Sequence, residues 1–159
     1  MKTSSRFSDK RIQIYEFSNQ FLVVCPQCDR KAEVLIEVET QQNKPALFFP
    51  RRLSCSSCGY SKEWADNGLA IHPNQDWYFE LPLWLSIPCC GEILWAYNAQ
   101  HLDFLEDFVK ARLRERTNDD MHGWSNRSLA SRLPKWIQRA KNRDEVLKCI
   151  TKLRKRLSE

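Results

Sequence analysis

The chain has 159 residues and a hydrophobic content of 42%, enough for one domain, or a small domain with an appended module, and too much for global disorder. No run approaches the roughly 18 apolar residues of a membrane span, and the polar start MKTSSRFSDKR lacks a secretory core, so no membrane partner and no export are expected. The net charge of +5 is unevenly placed: residues 1–100 carry 10 Lys/Arg against 11 Asp/Glu, and residues 101–159 carry 15 against 9. That asymmetry suggests a polyanion partner such as nucleic acid, although excess Lys/Arg on helices also serves solubility. Seven cysteines without an export signal fit a reducing compartment, and the protein reads as cytoplasmic.

The first half alternates. RIQIYEF (11–17) places Ile12 and Ile14 on one face, and FLVV (21–24) runs directly into Cys25. KAEVLIEVE (31–39) puts Ala32, Val34, Ile36 and Val38 on one face, the period of a half-buried strand. QQNKP (41–45) predicts a polar turn, ALFF (46–49) starts another short strand, and RRLSC leads to Cys55. The result is a run of short antiparallel strands with cysteine pairs where they turn. An aromatic-rich middle follows, with Trp64, Trp77, Tyr78, Phe79, Trp84, Trp95 and Tyr97. Pro82 and Pro88 interrupt it and favour edges or bends. Trp84 and Trp95 suit a core joining sheet to helices. Trp77, Tyr78 and Trp124 lie beside polar loops and are the candidates for stacking on unpaired bases. EILWAY (92–97) predicts the last strand.

From residue 98 the period changes. HLDFLEDFVKARLRER (101–116) has apolar residues at 102, 105, 108, 109 and 113, a helical stripe that Asn98 or the next turn begins. Acidic residues near its start and arginines near its end suit the helix dipole. TNDDMHGWSN (117–126) is expected to be a flexible loop, SLASRL a short turn of helix, and Pro134 the first residue of a helix PKWIQRAKN. A final helix over 143–157 carries Val146, Leu147, Ile150, Leu153 and Leu157 on one face.

Cys25-x2-Cys28 and, after 26 intervening residues, Cys55-x2-Cys58 form the four-cysteine pattern of one structural zinc. Each pair supplies two corners of a tetrahedron on a tight turn. Pro26 stiffens the first turn, and Gly59 permits a positive φ on leaving the second. The alternatives are a fortuitous set of free thiols, or a redox-active CPxC dithiol. The redox reading needs a helix starting at the motif, whereas Cys28 is followed by strand-like alternation. Cys89 and Cys90 read as a buried strand-end thiol and a turn thiol, with a ligand role as the alternative, and Cys149 as a core residue of the last helix.

CPxC…CxxCG between strands resembles the zinc ribbon of general transcription factors, RNA-polymerase subunits and primosomal helicases. The longer pattern, with LPLWL, CCGEILWAYN, HLDFLE and SLASRLPKWI, resembles small bacterial proteins labelled only as zinc-ribbon-containing. The resemblance implies a zinc held by Cys25, Cys28, Cys55 and Cys58. The expected fold is α+β: an N-terminal antiparallel β-rich zinc ribbon with an aromatic extension, followed by a C-terminal bundle of three to four helices. The ribbon module would span residues 1–100 and the basic helical module 101–159, unless the two fuse into one domain.

Nothing in the sequence assembles an active site. His72, His101 and His122 stand in no catalytic spacing, and no glycine-rich phosphate loop is present. A closed four-thiolate zinc has no open coordination position. The zinc-deaminase signature starts at Pro88-Cys89, but Glu92 occupies the place of its last cysteine, and no histidine is followed by x-Glu. The chain therefore reads as non-enzymatic. Between Pro134 and Arg156 nine Lys/Arg face only Asp144 and Glu145. Helical spacing can align Lys148, Lys152 and Lys155, with Lys135, Arg139 and Lys141 nearby. Such a face neutralises phosphates with steep salt dependence, and the bland alternative is a solvated helix face. The expected function is binding of nucleic acid or a nucleoprotein complex. Its alternatives are a protein-interaction adaptor with the aromatic middle as docking surface, and a redox sensor using Cys89 and Cys90.

Overall fold

A computed structural model describes residues 6–8, 13–37, 45–65, 68–111, 113–115, 118–119, 123–124 and 132–159. The strands are β1 (Arg6–Ser8), β2 (Gln20–Val24), β3 (Lys31–Ile36), β4 (Arg51–Ser54), β5 (Ser61–Trp64), β6 (Leu85–Cys89), β7 (Glu92–Ala96), β8 (Leu113–Glu115), β9 (Asn118–Asp119) and β10 (Gly123–Trp124). The helices are α1 (Ala99–Lys110), a single turn α2 (Lys135–Gln138) and α3 (Arg143–Leu157). The architecture is α+β. A four-stranded antiparallel sheet in the order β2-β3-β4-β5 precedes the β6–β7 hairpin and the two main helices. Among the described residues no helix is long and apolar enough to cross a membrane.

The expected strands β3 and β7 form where alternation places them, with β3 ending at Ile36, and β3 pairs with β2 from Gln20↔Leu35 to Val24↔Lys31. Three local expectations are corrected. Ile14–Phe17 is a 3-10 turn, closed by a reciprocal cap between Gln13 and Glu16 and by the Ser18 hydroxyl donating to the Tyr15 carbonyl at 2.6 Å. Local polar groups thus outcompete the alternation there; Ile12 lies outside the described residues. Ala46–Phe48 is likewise a 3-10 turn, and the strand begins only at Arg51. Leu113 fits the helical stripe of α1 by spacing, yet the helix ends at Lys110. Ala111 takes an extended conformation, and residues 113–115 pair in parallel with β1.

The C-terminal part has two main helices rather than three to four. After one turn of α2 the chain is extended at Arg139 (φ −72°, ψ 129°), and the Asn142 side chain donates to the Trp136 carbonyl to close the corner. Most of SLASRL lies outside the described residues. Within the expected loop 117–126, β9 and β10 make a two-residue antiparallel pair. Asn98 does start α1: its side-chain oxygen accepts from the His101 amide at 2.9 Å, and its amide group donates to the Phe17 and Gln20 carbonyls, tying the helix start to the sheet.

The free edge of β2 is covered by the aromatic extension. Leu22 donates to the Tyr97 carbonyl, Trp84 to Leu22, and Val24 to Pro82, all at 2.8 to 2.9 Å. The buried apolar residues then form one cluster from Phe17 to Leu153. α3 closes this core with Val146, Cys149, Ile150 and Leu153, packing on β6 and α1. Its end is clasped: the Trp84 indole donates to the Arg156 carbonyl at 2.8 Å while the Arg156 guanidinium lies 4.5 Å above the same ring. The Lys31 ammonium donates to the Leu157 carbonyl, so the last turn of α3 is tied to the first residue of β3.

Candidate metal centre

The two cysteine pairs occupy two hairpin turns. Cys25 follows β2 and Cys55 follows β4. Because β3 and β4 pair antiparallel, both turns emerge at the same end of the sheet. Each turn is built identically. The amide of the residue four positions after the first cysteine donates back to that cysteine's carbonyl, from Asp29 at 3.0 Å and from Gly59 at 2.9 Å. The first cysteine's own amide donates to the carbonyl five positions on, that of Arg30 and of Tyr60. The closing residue is left-handed in both, φ 63° at Asp29 and φ 78° at Gly59. Glycine adopts this without cost, and aspartate is among the few other residues that tolerate it.

The four Sγ atoms lie within 4.8 Å of one another. Cys25 and Cys58 are 3.7 Å apart, and Cys28 and Cys55 are 3.6 Å apart. A tetrahedron with Zn–S bonds near 2.3 Å has edges of about 3.8 Å. The cluster therefore has the size of a ZnS4 site as well as its donor chemistry, and it sits on a small antiparallel sheet as in zinc-ribbon-like sites. Cys25 and Cys55 are buried, whereas Cys28 and Cys58 are half-buried.

Backbone amides favour the charge a metal would require. The Cys28 thiol is pulled down most by the Arg30 N–H, but burial and the thiols of Cys55, Cys58 and Cys25 push it up to about 12. Burial pushes Cys55 up; the Cys58 and Ser57 amides and the thiols of Cys28 and Cys58 outweigh it and bring Cys55 down to about 7. For Cys58 the Tyr60 amide favours the thiolate, yet burial and the Cys25 and Cys55 thiols leave it raised. A divalent cation at the centre of the cluster would supply the charge that the raised Cys28 and Cys58 thiols lack.

The other sulfurs do not approach this cluster. Cys89 is buried at the end of β6, and Cys90 is exposed in the two-residue turn to β7, where it and Gly91 have φ 53° and 76°. That is the backbone of a type I′ hairpin turn. Cys149 is buried and points its thiol at the Pro88 carbonyl, 3.8 Å away. Burial, followed by the Cys149 and Cys90 thiols, raises the Cys89 thiol well above its ordinary value, which is unfavourable for a reactive thiolate.

Of the candidate stacking residues, two are corrected. Trp77 is completely buried and donates to the Tyr97 hydroxyl at 3.0 Å. Tyr78 is buried against Trp64 and donates to the Leu47 carbonyl at 2.6 Å. Their polar neighbours in sequence belong to a turn organised by buried Asp76, whose carboxylate accepts from the Tyr78, Phe79 and Leu81 amides. The polar turn folds the rings inward, so they cannot meet a base. The side chain of Trp124 lies outside the described residues. Lys135, Arg139, Lys141, Lys148, Lys152 and Lys155 are all exposed, and none of the six side chains has an ion pair or hydrogen bond among the described residues. Three other cations of the same stretch are used internally. Arg154 pairs with Asp103 at 2.6 Å and Glu106 at 2.8 Å, Arg156 stacks on Trp84, and Arg143 donates to the Ala111 carbonyl.

Sequence reasoning missed two contributors to the cysteine cluster. One is Asp29, whose place directly after its CxxC matches that of Gly59; that shared position was the available signal. The other is the set of amide donors from Arg30, Ser57 and Tyr60, for which side-chain identity carries no signal. Comparison of the chain with family models, with curated proteins and with solved structures finds no match.

Proposed function

We propose that Cys25, Cys28, Cys55 and Cys58 hold one structural zinc ion, and that this zinc-ribbon-type protein is non-enzymatic and binds nucleic acid or a nucleoprotein complex through its basic C-terminal helices. The observation that carries the binding reading is the exposed stripe of Lys148, Lys152 and Lys155 on α3, opposite the face packed into the core, with Lys135, Arg139 and Lys141 close in sequence. Lysines left out of the protein's own ion pairs remain available to phosphates, and each phosphate neutralised releases counterions. The burial of the aromatic middle weighs against the adaptor alternative, because that docking surface is spent on the core.

The test is retention of labelled single- and double-stranded oligonucleotides by the zinc-loaded chain across a salt series. Binding is expected to fall steeply as salt rises. The triple change Lys148→Glu, Lys152→Glu, Lys155→Glu should abolish it while leaving the helical circular dichroism unchanged. Absence of retention at low salt, or equal retention by the triple variant, sinks the proposal. A stoichiometric, nuclease-insensitive protein partner would favour the adaptor instead.

A further inference from the structure

The tip of the β6–β7 hairpin carries a second group of thiols that shares no residue with the four-cysteine cluster. The Cys89 Sγ lies 3.9 Å from that of Cys90 and 4.0 Å from the Glu145 carbonyl on α3. Cys149, one turn further along α3, directs its thiol at the Pro88 carbonyl. Cys89 and Cys149 are buried, and of the three only Cys90 is exposed. Burial, then the Cys149 and Cys90 thiols, hold Cys89 in its protonated form, so a reagent from solvent meets Cys90 first.

Successive residues of a strand send their side chains to opposite faces, so neighbouring cysteines in a ladder keep their sulfurs apart. The turn removes that separation. Cys90 is left-handed at φ 53° as the first residue of the type I′ turn, and Gly91 follows at φ 76°. Asn, Asp or Gly is the usual choice for the first position, and a cysteine there is not selected by turn chemistry. What it accomplishes is to set an exposed sulfur beside a buried one. A solvent-accessible thiol next to a second thiol that can resolve it is the arrangement of redox-sensing cysteines.

We propose that Cys90 and Cys89 form a reversible oxidation site for hydrogen peroxide. One peroxide oxygen passes to the Cys90 sulfur, giving a sulfenic acid, and the other leaves as water. The Cys89 sulfur then attacks the Cys90 sulfur: the S–S bond forms as the S–O bond breaks, and the hydroxyl departs with the Cys89 proton as a second water. Two thiols are oxidised to one disulfide while one peroxide is reduced to two waters. A disulfide between sequence neighbours spans Cα atoms about 3.8 Å apart, below the usual lower limit of about 4.4 Å. Such a bond is strained and easily reduced, which suits a switch rather than a permanent staple. The inference is independent of the zinc and of nucleic-acid binding.

The test treats the full zinc-loaded chain with hydrogen peroxide, blocks the remaining thiols with an alkylating agent, and locates the products by tandem mass spectrometry. The peptide holding Cys89 and Cys90 is expected to lose two hydrogen atoms and escape alkylation, and dithiothreitol should restore both thiols. Cys149 should stay reduced. Cys90→Ser changes an exposed residue, should fold normally, and should cut oxidation at Cys89 by about tenfold or more. Cys89→Ala should leave Cys90 as a sulfenic acid, trapped by a 1,3-dione at least about tenfold more than in the unmodified chain. Full alkylation of both cysteines after peroxide, a disulfide joining Cys89 to Cys149, unchanged Cys89 oxidation in Cys90→Ser, or no trapped Cys90 in Cys89→Ala would each overturn the proposal.

Discussion

The cysteine-bearing end of the sheet and the aromatic-helical half are stabilised by different physics. At the tip, β5 exposes Ser61, Lys62 and Glu63 and buries only Trp64, and β4 buries alternate residues only. Between the two turns the four sulfurs lie within 4.8 Å of one another. In the other half Trp77, Tyr97, Leu85, Leu94, Leu102, Leu105, Ile150 and Leu153 are sealed from solvent around α1 and α3. A small sheet end with little apolar surface needs a staple, whereas a core of large side chains is held by the hydrophobic effect. The contrast predicts that one half depends on metal and the other does not.

The largest expected effect follows directly. Chelation, or Cys55→Ser, should release one zinc per chain and cost the tip more than about 5 kcal/mol, because metal binding there is folding. Hydrogen exchange should show the amides of 25–31 and 55–61 losing protection while those of α1 and α3 keep it. A Cys55→Ser chain that keeps its metal and its protection pattern would refute the assignment. Zinc retention should also fall as pH drops below neutrality. Cys28 and Cys58, both held above the ordinary thiol range without metal, must give up their protons to bind it, and acid returns those protons.

The opposite half can be broken without touching the metal. Ile150→Ala removes a completely buried side chain from α3 and should cost about 3 kcal/mol in denaturant unfolding. Zinc content should stay at one per chain. Loss of metal together with the helix would show that the two halves depend on one another more than their separate packing implies.

A smaller effect depends on pH. Burial pushes His101 down to about 3, below its unfolded value near 6.5, so the unfolded chain binds the extra proton. Stability is full above pH 6.5 and is lost as pH falls through 6.5 toward 3, by about 2 kcal/mol at pH 5. Unfolding curves at pH 7 and 5 measure it, and His101→Gln should remove this part of the slope. The smallest effect compares the two cysteine turns. Asp29→Gly gives the first turn the residue of the second and should stabilise by about 0.5 kcal/mol, while Gly59→Asp should cost a similar amount. Thermal melts of the zinc-loaded forms would resolve the pair.

Much of this was legible in the residues. The spacing of Cys25, Cys28, Cys55 and Cys58 predicts the four-sulfur cluster because tight turns and antiparallel pairing leave few ways to place two CxxC pairs. Period-two and helical stripes place β3, α1 and α3, although Leu113 extends the helical stripe past the true end of α1. The failures share a cause. Trp77 and Tyr78 look exposed beside polar residues, and only the folded turn around Asp76 shows that their neighbours' polarity is consumed by local hydrogen bonds. Of nine basic residues near the C-terminus, composition cannot tell Lys148 from Arg156; the position of Trp84 and Ser86 against the last turn of α3 makes that distinction.

By itself the sequence determined the local chemistry: which turns carry sulfur, which faces are apolar, and where the positive charge accumulates. These depend on spacing along the chain, and spacing is short-range. The tertiary structure alone decided which of these lysines stay free, which aromatic rings are sealed, and that His101 is buried against Phe17 with its Nδ1 accepting from the Tyr97 amide. Each of those depends on contacts between residues far apart in sequence, where burial and hydrogen-bond partners are assigned only once the elements have packed.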